Sequence, residues 1–447
     1  MTNLVRVALV SALTVVGSST AFAQQQYVLT ASSWGPAQNA AVASAGGTVT
    51  FAHAGAGVAV VQSSAPNFLG RVRASRAVTT ADADVVIRWQ PDVTNISVEE
   101  TAIDPTNDTF YPIQWAPGAI QAPEAWALGC TGAGVRVAIL DGGIYDLHPD
   151  LAANLDVGAS RSFVPGEPFN NDTGTFWHGT HVAGIVGAAD NNLGVVGIAP
   201  EATLIGVKVL HSGSGSFGGV INGILYAATP LAEGGGGADI INMSLGAVFP
   251  RGGGNTGAGP LVAAMNKAVN YANRHGVLVV SATGNDELDL DHSRSLIAVP
   301  AESGAGVAVS ATGPVGWAYG ETNFDRPASY TNYGTSVVNV SAPGGDFAYP
   351  GDEACAMPAV GFFVLAPCWV FDMVLSTSRA GYSWAAGTSM AAPAASAVAA
   401  IIKQMNPNIS LGALKTALQN TAVDAGKKGT DPFHGKGFVN ALNACQH

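Results

Sequence analysis

Charge is scarce in this sequence: Asp, Glu, Lys and Arg make up 11% of its 447 residues, against 48% hydrophobic residues. Disordered and coiled-coil chains need far more charge, so both classes are excluded in favour of a compact protein, rich in loops given its 56 glycines. Basic residues are fewer still, 19 Lys and Arg against 31 Asp and Glu, for a net charge of -12. No basic stripe exists to displace counterions from a phosphate backbone, which excludes nucleic acid as a partner. No segment offers the ~20 uninterrupted apolar residues that a membrane span requires. Cysteine is rare as well, with four in the chain, Cys130, Cys355, Cys368 and Cys445.

The N-terminus carries a short apolar core from Val7 to Val16 behind Arg6, then Ala21-Phe22-Ala23, a small-x-small cleavage pattern. Residues 1–23 are therefore expected to be a signal peptide, making the protein secreted, extracellular or periplasmic. With no cysteine beside the cleavage pattern, lipid anchoring is not expected. Export favours disulfides over metal ligation for the cysteines. Four cysteines allow three pairings. Cys355 and Cys368 flank a short segment and suit a local clip, which leaves Cys130 for Cys445; buried free thiols are the alternative.

Between residues 27 and 90 the periodicity reads strand, helix, strand, strand, helix, strand: "YVLTAS", "GPAQNAAVASAG", "GTVTFAHAG", "GVAVVQSS", "APNFLGRVRAS" and "ADVVIRW". This predicts a small α+β, ferredoxin-like unit. The polar, Pro-containing "QPDVTNISVEETAIDPTNDTFYP" that follows reads as an exposed linker. The domain boundaries expected are 24–104 for this unit with its linker and 105–447 for the rest. Beyond residue 115, near-continuous apolar runs at 135–140, 203–210, 239–245, 276–283 and 306–311 alternate with helical patterns at 178–188, 218–232 and 259–275. That is the texture of an α/β, doubly wound, mostly parallel sheet, whose sites form beyond the carboxyl ends of the strands.

Polar residues stand at those strand ends. Asp141 closes "VAILD", His178 opens the helix "HGTHVAG", Asn285 follows a strand in "SATGN", and Ser389 begins a helix in "GTSMAAP". A serine hydroxyl becomes a nucleophile when an imidazole takes its proton, and the imidazole needs a carboxylate to fix its tautomer. Asn285 and the Ser389 N–H at a helix start could then stabilise an oxyanion. Singly, each residue has a bland structural reading as a turn residue, helix cap or satisfied core group. His178 and His181 lack the Glu and the third ligand of a metallopeptidase helix, and no catalytic cofactor is expected.

The ordered set "VAILDGGI", "HGTHVAG", "ATGN" and "GTSMAAP", with "NNLGVVGIAP", "INMSLG" and "GKGFVNA", resembles the subtilisin-like serine peptidases, the subtilase family, from about residue 115 to 442. The resemblance implies a triad of Asp141, His178 and Ser389 with Asn285 in the oxyanion hole, and a secreted, self-processing zymogen whose residues 27–90 are an inhibitory propeptide. It implies a monomer acting on polypeptides. Substrate-binding segments are implied at Gly213, Ser214, Gly215 and at Ser244, Leu245, Gly246. A first pocket is walled by Leu245, Gly246, Thr283 and Gly284, with Asp286 at its rim and Phe217 bordering a second. It also implies a structural calcium held near Asp150 and Asn191.

Two departures stand out. Gly142 occupies a position where the family usually places a hydroxyl able to reach the aspartate. The stretch 345–372, holding two cysteines, looks like an insertion, either a rim flap or a satellite of the core. Two other functions fit the scaffold: a catalytically silent binding protein, and an esterase, against which the absence of G-x-S-x-G around Ser389 argues.

Overall fold

The computed structural model describes residues 24–90, 94–98, 108–173, 177–251, 259–293, 295–348, 351–379 and 381–447, so the signal-peptide expectation lies outside the described residues. The N-terminal unit comprises β1 (Gln25–Thr30), α1 (Pro36–Ala45), β2 (Gly47–His53), β3 (Val58–Ser63), α2 (Phe68–Ala74) and β4 (Thr80–Ala83), in an antiparallel sheet of order β2-β3-β1-β4. Glycine at the left-handed C-cap, Gly46, ends α1 where the sequence places the helix stop. Tyr27, Leu29, Val42, Ala59, Val61, Phe68 and Val72 form its own small core.

The expected closing strand "ADVVIRW" is corrected by the structure. Only its first residue, Ala83, belongs to β4, which completes the small sheet, while β5 (Val86–Arg88) leaves to pair antiparallel with Ser214–Ser216 of the large unit. The stretch read as a linker also contains β6 (Thr94–Val98). Periodicity could not foresee either, because the partner strands lie far along the chain.

The large unit begins with α3 (Trp115–Ala119) and α4 (Ala122–Ala127), then β7 (Arg136–Asp141), β8 (Arg161–Ser162), α5 (His178–Gly187), β9 (Thr203–Lys208), β10 (Ser214–Ser216), α6 (Phe217–Ala228), β11 (Ile240–Met243) and β12 (Ala247–Pro250). It continues through α7 (Gly259–Arg274), β13 (Leu278–Ala282), β14 (Leu296–Val299), β15 (Val307–Thr312), β16 (Val340–Pro343), the hairpin β17 (Ala354–Ala359) and β18 (Phe362–Pro367), and β19 (Val374–Ser378) with β20 (Gly381–Ala386). Three helices follow, α8 (Thr388–Met405), α9 (Leu411–Asn420) and α10 (Ala441–Cys445). Seven strands form a parallel sheet of order β16-β15-β13-β11-β7-β9-β8. Its strands are almost wholly buried because helices cover both faces, with α5 and α8 in one core and α6 and α7 in the other. The doubly wound expectation therefore holds.

Val28, Ala56, Val58 and Trp89 of the N-terminal segment share the α6–α7 core, so the small sheet lies on those two helices. Asp84, between β4 and β5, receives the Gly218 N–H at 3.1 Å at the start of α6, where helix N–H groups have no partner inside the helix. Lys267 of α7 donates to the Ala31 carbonyl at 2.9 Å.

Both disulfides form in the local-clip pairing, Cys130–Cys445 and Cys355–Cys368. The first ties the chain after α4 to the end of α10. The second staples the β17–β18 hairpin, which packs on the start of the large unit: the Val360 N–H donates to the Thr109 carbonyl at 3.0 Å, and Phe362 meets Phe110 edge-on. Of the two readings of the insertion, the structure gives a satellite of the core.

Candidate active site

β7 and α5 bring Asp141 and His178 together. Asp141 ends a buried strand and His178 is the first residue of a helix buried along its full length. Gly179 permits this approach, since a Cβ there would sit 2.1 Å from the Gly143 carbonyl oxygen. His178 Nδ1 lies 2.9 and 2.8 Å from the two Asp141 carboxylate oxygens, and the Gly142 N–H donates to Asp141 Oδ1 at 2.6 Å. Both side chains are buried, so the carboxylate is held by hydrogen bonds rather than water.

Ser389 is the second residue of α8, a helix rich in alanine, the strongest helix former. Pro393 stands four residues further on and has no N–H to give the Ser389 carbonyl. Ser244, after β11, takes that carbonyl instead, donating Oγ–H to it at 2.7 Å, while the Ser389 hydroxyl donates to the Ser244 carbonyl at 3.2 Å. Asn242 Nδ2 donates to Ser244 Oγ at 3.0 Å, and its Oδ1 accepts from Ser396 of α8, also at 3.0 Å. Strand end and helix start are thereby locked together around Ser389.

Asn285 follows β13, in a loop joined to the same helix start. Its Oδ1 accepts the Thr388 N–H at 2.9 Å and the Thr388 hydroxyl at 2.7 Å, which leaves its NH2 as the group free to donate elsewhere. The Gly284 N–H donates to Thr388 Oγ1 at 3.1 Å. Beneath the loop, buried Asn332 accepts the Asp286 and Leu288 N–H groups at 2.9 Å each and donates to the Thr283 carbonyl at 3.0 Å. Thr388 and Asn332 were missed by the sequence reading; no motif spacing marks Asn332.

The segments expected to bind substrate are occupied by the chain itself. β5 pairs with β10 in the register Arg88 to Ser214 and Val86 to Ser216. The Trp89 and Gln90 N–H groups donate to the Gly213 carbonyl at 2.9 and 3.0 Å, and the Gly246 N–H donates to the Trp89 carbonyl at 2.8 Å. Trp89 is wholly buried, its indole N–H on the Gly215 carbonyl at 2.9 Å and its ring edge-on to Phe217 and Phe249 at 4.7 and 6.3 Å. β6 then pairs antiparallel with β20, Thr94 opposite Ala386. Leu245 and Thr283 are buried; the Thr283 hydroxyl turns to the Val309 and Asn332 carbonyls. Asp286 is exposed and accepts from Asn332 Nδ2 at 3.3 Å.

A family model described as "Subtilase family" matches residues 132–437. The chain belongs to the subtilase family. It is 36% identical to Subtilisin Savinase of Lederbergia lenta over 75% of this chain and 99% of that one. It is 33% identical to Thermitase of Thermoactinomyces vulgaris over 77% of this chain and 99% of that one. Among solved structures, a protease from Pseudoalteromonas arctica superposes with a TM-score of 0.60 at 29% identity, over 76% of this chain and 98% of that one. As a subtilase the chain is a serine peptidase homologue, and peptides are the substrates of its class.

Two buried groups beside this subtilase's site titrate in opposite senses. His181 is lowered from 6.5 to about 3, chiefly by burial. An unfolded chain takes up its proton first, so the stability it confers is present above about pH 6.5 and is lost as pH falls toward 3. Asp172 is raised from 3.8 to about 7, by burial and then by Asp141. Its contribution is complete below pH 3.8 and is lost as pH rises through 7. The two contributions oppose each other between about pH 3.8 and 6.5, so substitution isolates the histidine: melting temperature should fall less steeply toward acid in His181→Gln than in the wild type, and equal acid slopes would reject this assignment.

Proposed function

We propose that this subtilase is a secreted serine endopeptidase made as a self-processing zymogen. The observation that carries the reading is that Val86–Arg88 pair with Ser214–Ser216 and Thr94–Val98 pair with β20, the strand leading into Ser389. A polypeptide laid along both approaches to the serine by backbone hydrogen bonds is bound as an extended substrate would be.

In the proposed reaction Ser389 Oγ attacks the peptide carbonyl carbon and its proton passes to His178 Nε2. Asp141 holds Nδ1–H and stabilises the imidazolium. The Ser389 N–H, near the start of α8, and the Asn285 NH2 receive the oxyanion. His178 then gives its proton to the leaving amine, the C–N bond breaks, and water activated by the same imidazole releases the acyl group from Ser389. The docked N-terminal unit, residues 24–90, serves as inhibitor and folding aid.

Ser389→Ala should abolish proteolysis and accumulate the unprocessed chain, read by intact mass. Asn285→Ala should remain active with turnover lowered ~10²- to 10³-fold, a magnitude taken from subtilisin itself rather than from this geometry. Normal processing of the Ser389 variant would reject the nucleophile.

A structural calcium belongs to the same reading. Asp150 Oδ2 accepts the Val195 N–H at 3.0 Å, and Asn191 Oδ1 accepts the Leu193 N–H at 3.0 Å. Asp108, absent from the sequence expectation because it fell in the supposed linker, accepts from Asn191 and Leu193 N–H on the same loop. Burial and neighbouring Asp190 push its carboxyl up to about 6, a strain that a hard cation relieves. Among the described residues no three acidic, His or Cys side chains form a metal cluster, so amide and carbonyl oxygens would complete the shell. The ion would stabilise the loop and take no part in the reaction. Chelation should lower the melting temperature, and Asp108→Asn should remove that sensitivity; an unchanged melting temperature rejects the site.

Specificity should be broad along the backbone and apolar in the pockets. Leu245, Gly246, Thr283 and Gly284 present no buried carboxylate, and Trp89 against Phe217 and Phe249 models an aromatic side chain in the second pocket. Peptide-library profiling should favour Phe or Leu before the cleaved bond, at about 0.8 kcal/mol per buried methylene. Strict cleavage after Arg or Lys would overturn this and implicate Asp286.

A further inference from the structure

We propose that Asp172 is a positioning residue of the active site, which fastens the first turn of α5 to the turn after β7 and so sets the His178 ring in register with Asp141. This inference rests on the peptidase reading for its kinetic test.

Asp172 is buried, and its Oδ2 accepts both the Thr180 N–H at 2.7 Å and the Thr180 hydroxyl at 2.6 Å. Thr180 stands two residues past His178, where a helix N–H has no intrahelical acceptor. The same hydroxyl accepts the Tyr145 N–H at 3.0 Å, from the segment following Asp141, and the Thr180 carbonyl accepts from Thr377 at 2.7 Å. Thr180 thus joins the segment after the acid's strand to the helix bearing the base, and the Asp172 carboxyl holds Thr180 in that position.

Gly142 makes room for it. A Cβ at Gly142 would stand 3.0 Å from Asp172 Oδ1, and that oxygen is buried without a hydrogen-bond partner among the described residues. The departure at Gly142 and the buried acid are two sides of one arrangement.

The charged groups around it are few. Asp141 and His178 face Asp172 from β7 and α5. From β9, buried Lys208 holds the neighbouring loop by donating to the Asn171 carbonyl at 3.0 Å and to Thr173 Oγ1 at 3.3 Å, and is paired with Glu167 at 3.1 Å. No cation touches the Asp172 carboxyl among the described contacts. Burial and Asp141 disfavour its charge, so a neutral carboxyl, which Asn copies in shape, suffices for the Thr180 contacts.

The test compares Asp172→Ala, Asp172→Asn and Thr180→Val with wild type, counting active sites by fluorophosphonate titration. Asp172→Ala should lower kcat at least tenfold with KM within twofold, Asp172→Asn should restore kcat to within threefold, and Thr180→Val should fall between them. Unchanged kcat per titrated site in Asp172→Ala and Thr180→Val, or Asp172→Asn as impaired as Asp172→Ala, overturns the proposal. A second readout needs no activity: in the Ser389→Ala full chain, the downfield proton NMR signal of the His178–Asp141 hydrogen bond should persist with Asp172→Asn and shift or broaden with Asp172→Ala. An identical signal in both overturns the positioning role even if the wild type cleaves nothing, which separates this failure from failure of the peptidase reading.

Discussion

The hydrogen bond between Asp141 and His178 is the constraint around which the large unit is organised. A buried carboxylate loses far more by desolvation than one neutral hydrogen bond returns, so it needs several partners held in place before folding is complete. The imidazole and the Gly142 N–H supply them. Their geometry depends on a strand and a helix meeting almost backbone to backbone. Gly179 against Gly143 gives that distance, and the fully buried α5 gives it rigidity.

A comparable logic governs Ser389. Proline inside a helix removes a donor, and here the carbonyl left without one belongs to the proposed nucleophile. Ser244 fills the gap from another strand, so a local helix defect becomes a link between β11 and α8. Asn285 makes the second link through Thr388, from β13. The helix start is therefore set by two strand ends at once.

Five of the seven strands of the large sheet, the α5, α6 and α7 helices and the four polar positions near strand ends and helix starts were legible because each is a local signal: an apolar run, a glycine stop, a motif of fixed spacing. The cysteine pairing was legible to the extent that thirteen residues of separation suit a clip. What escaped was non-local. "ADVVIRW" has strand character along its length, yet only Ala83 stays with the small sheet while Val86–Arg88 pair with β10, and the position of β10 decides that. Asp172, Asn332 and Asp108 act through tertiary neighbours on loops, where polar residues carry no periodicity. The insertion's aromatics looked equally suited to a rim or a core, and the Phe110 and Thr109 contacts decided between them.

The split of that strand also bears on how the proposed inhibition would work. β5 holds the groove by backbone hydrogen bonds that any extended peptide could form, so those bonds alone give it no advantage over substrate. The advantage comes from tethering. Val28, Ala56 and Val58 sit in the α6–α7 core, and Asp84 meets the α6 start only two residues before β5. Docking the small unit thus delivers β5 at a high effective concentration, and cutting the chain after Gln90 would leave that tether intact. Release of the groove is then governed by the stability of the small unit and its seat on α6 and α7, rather than by the cleavage itself.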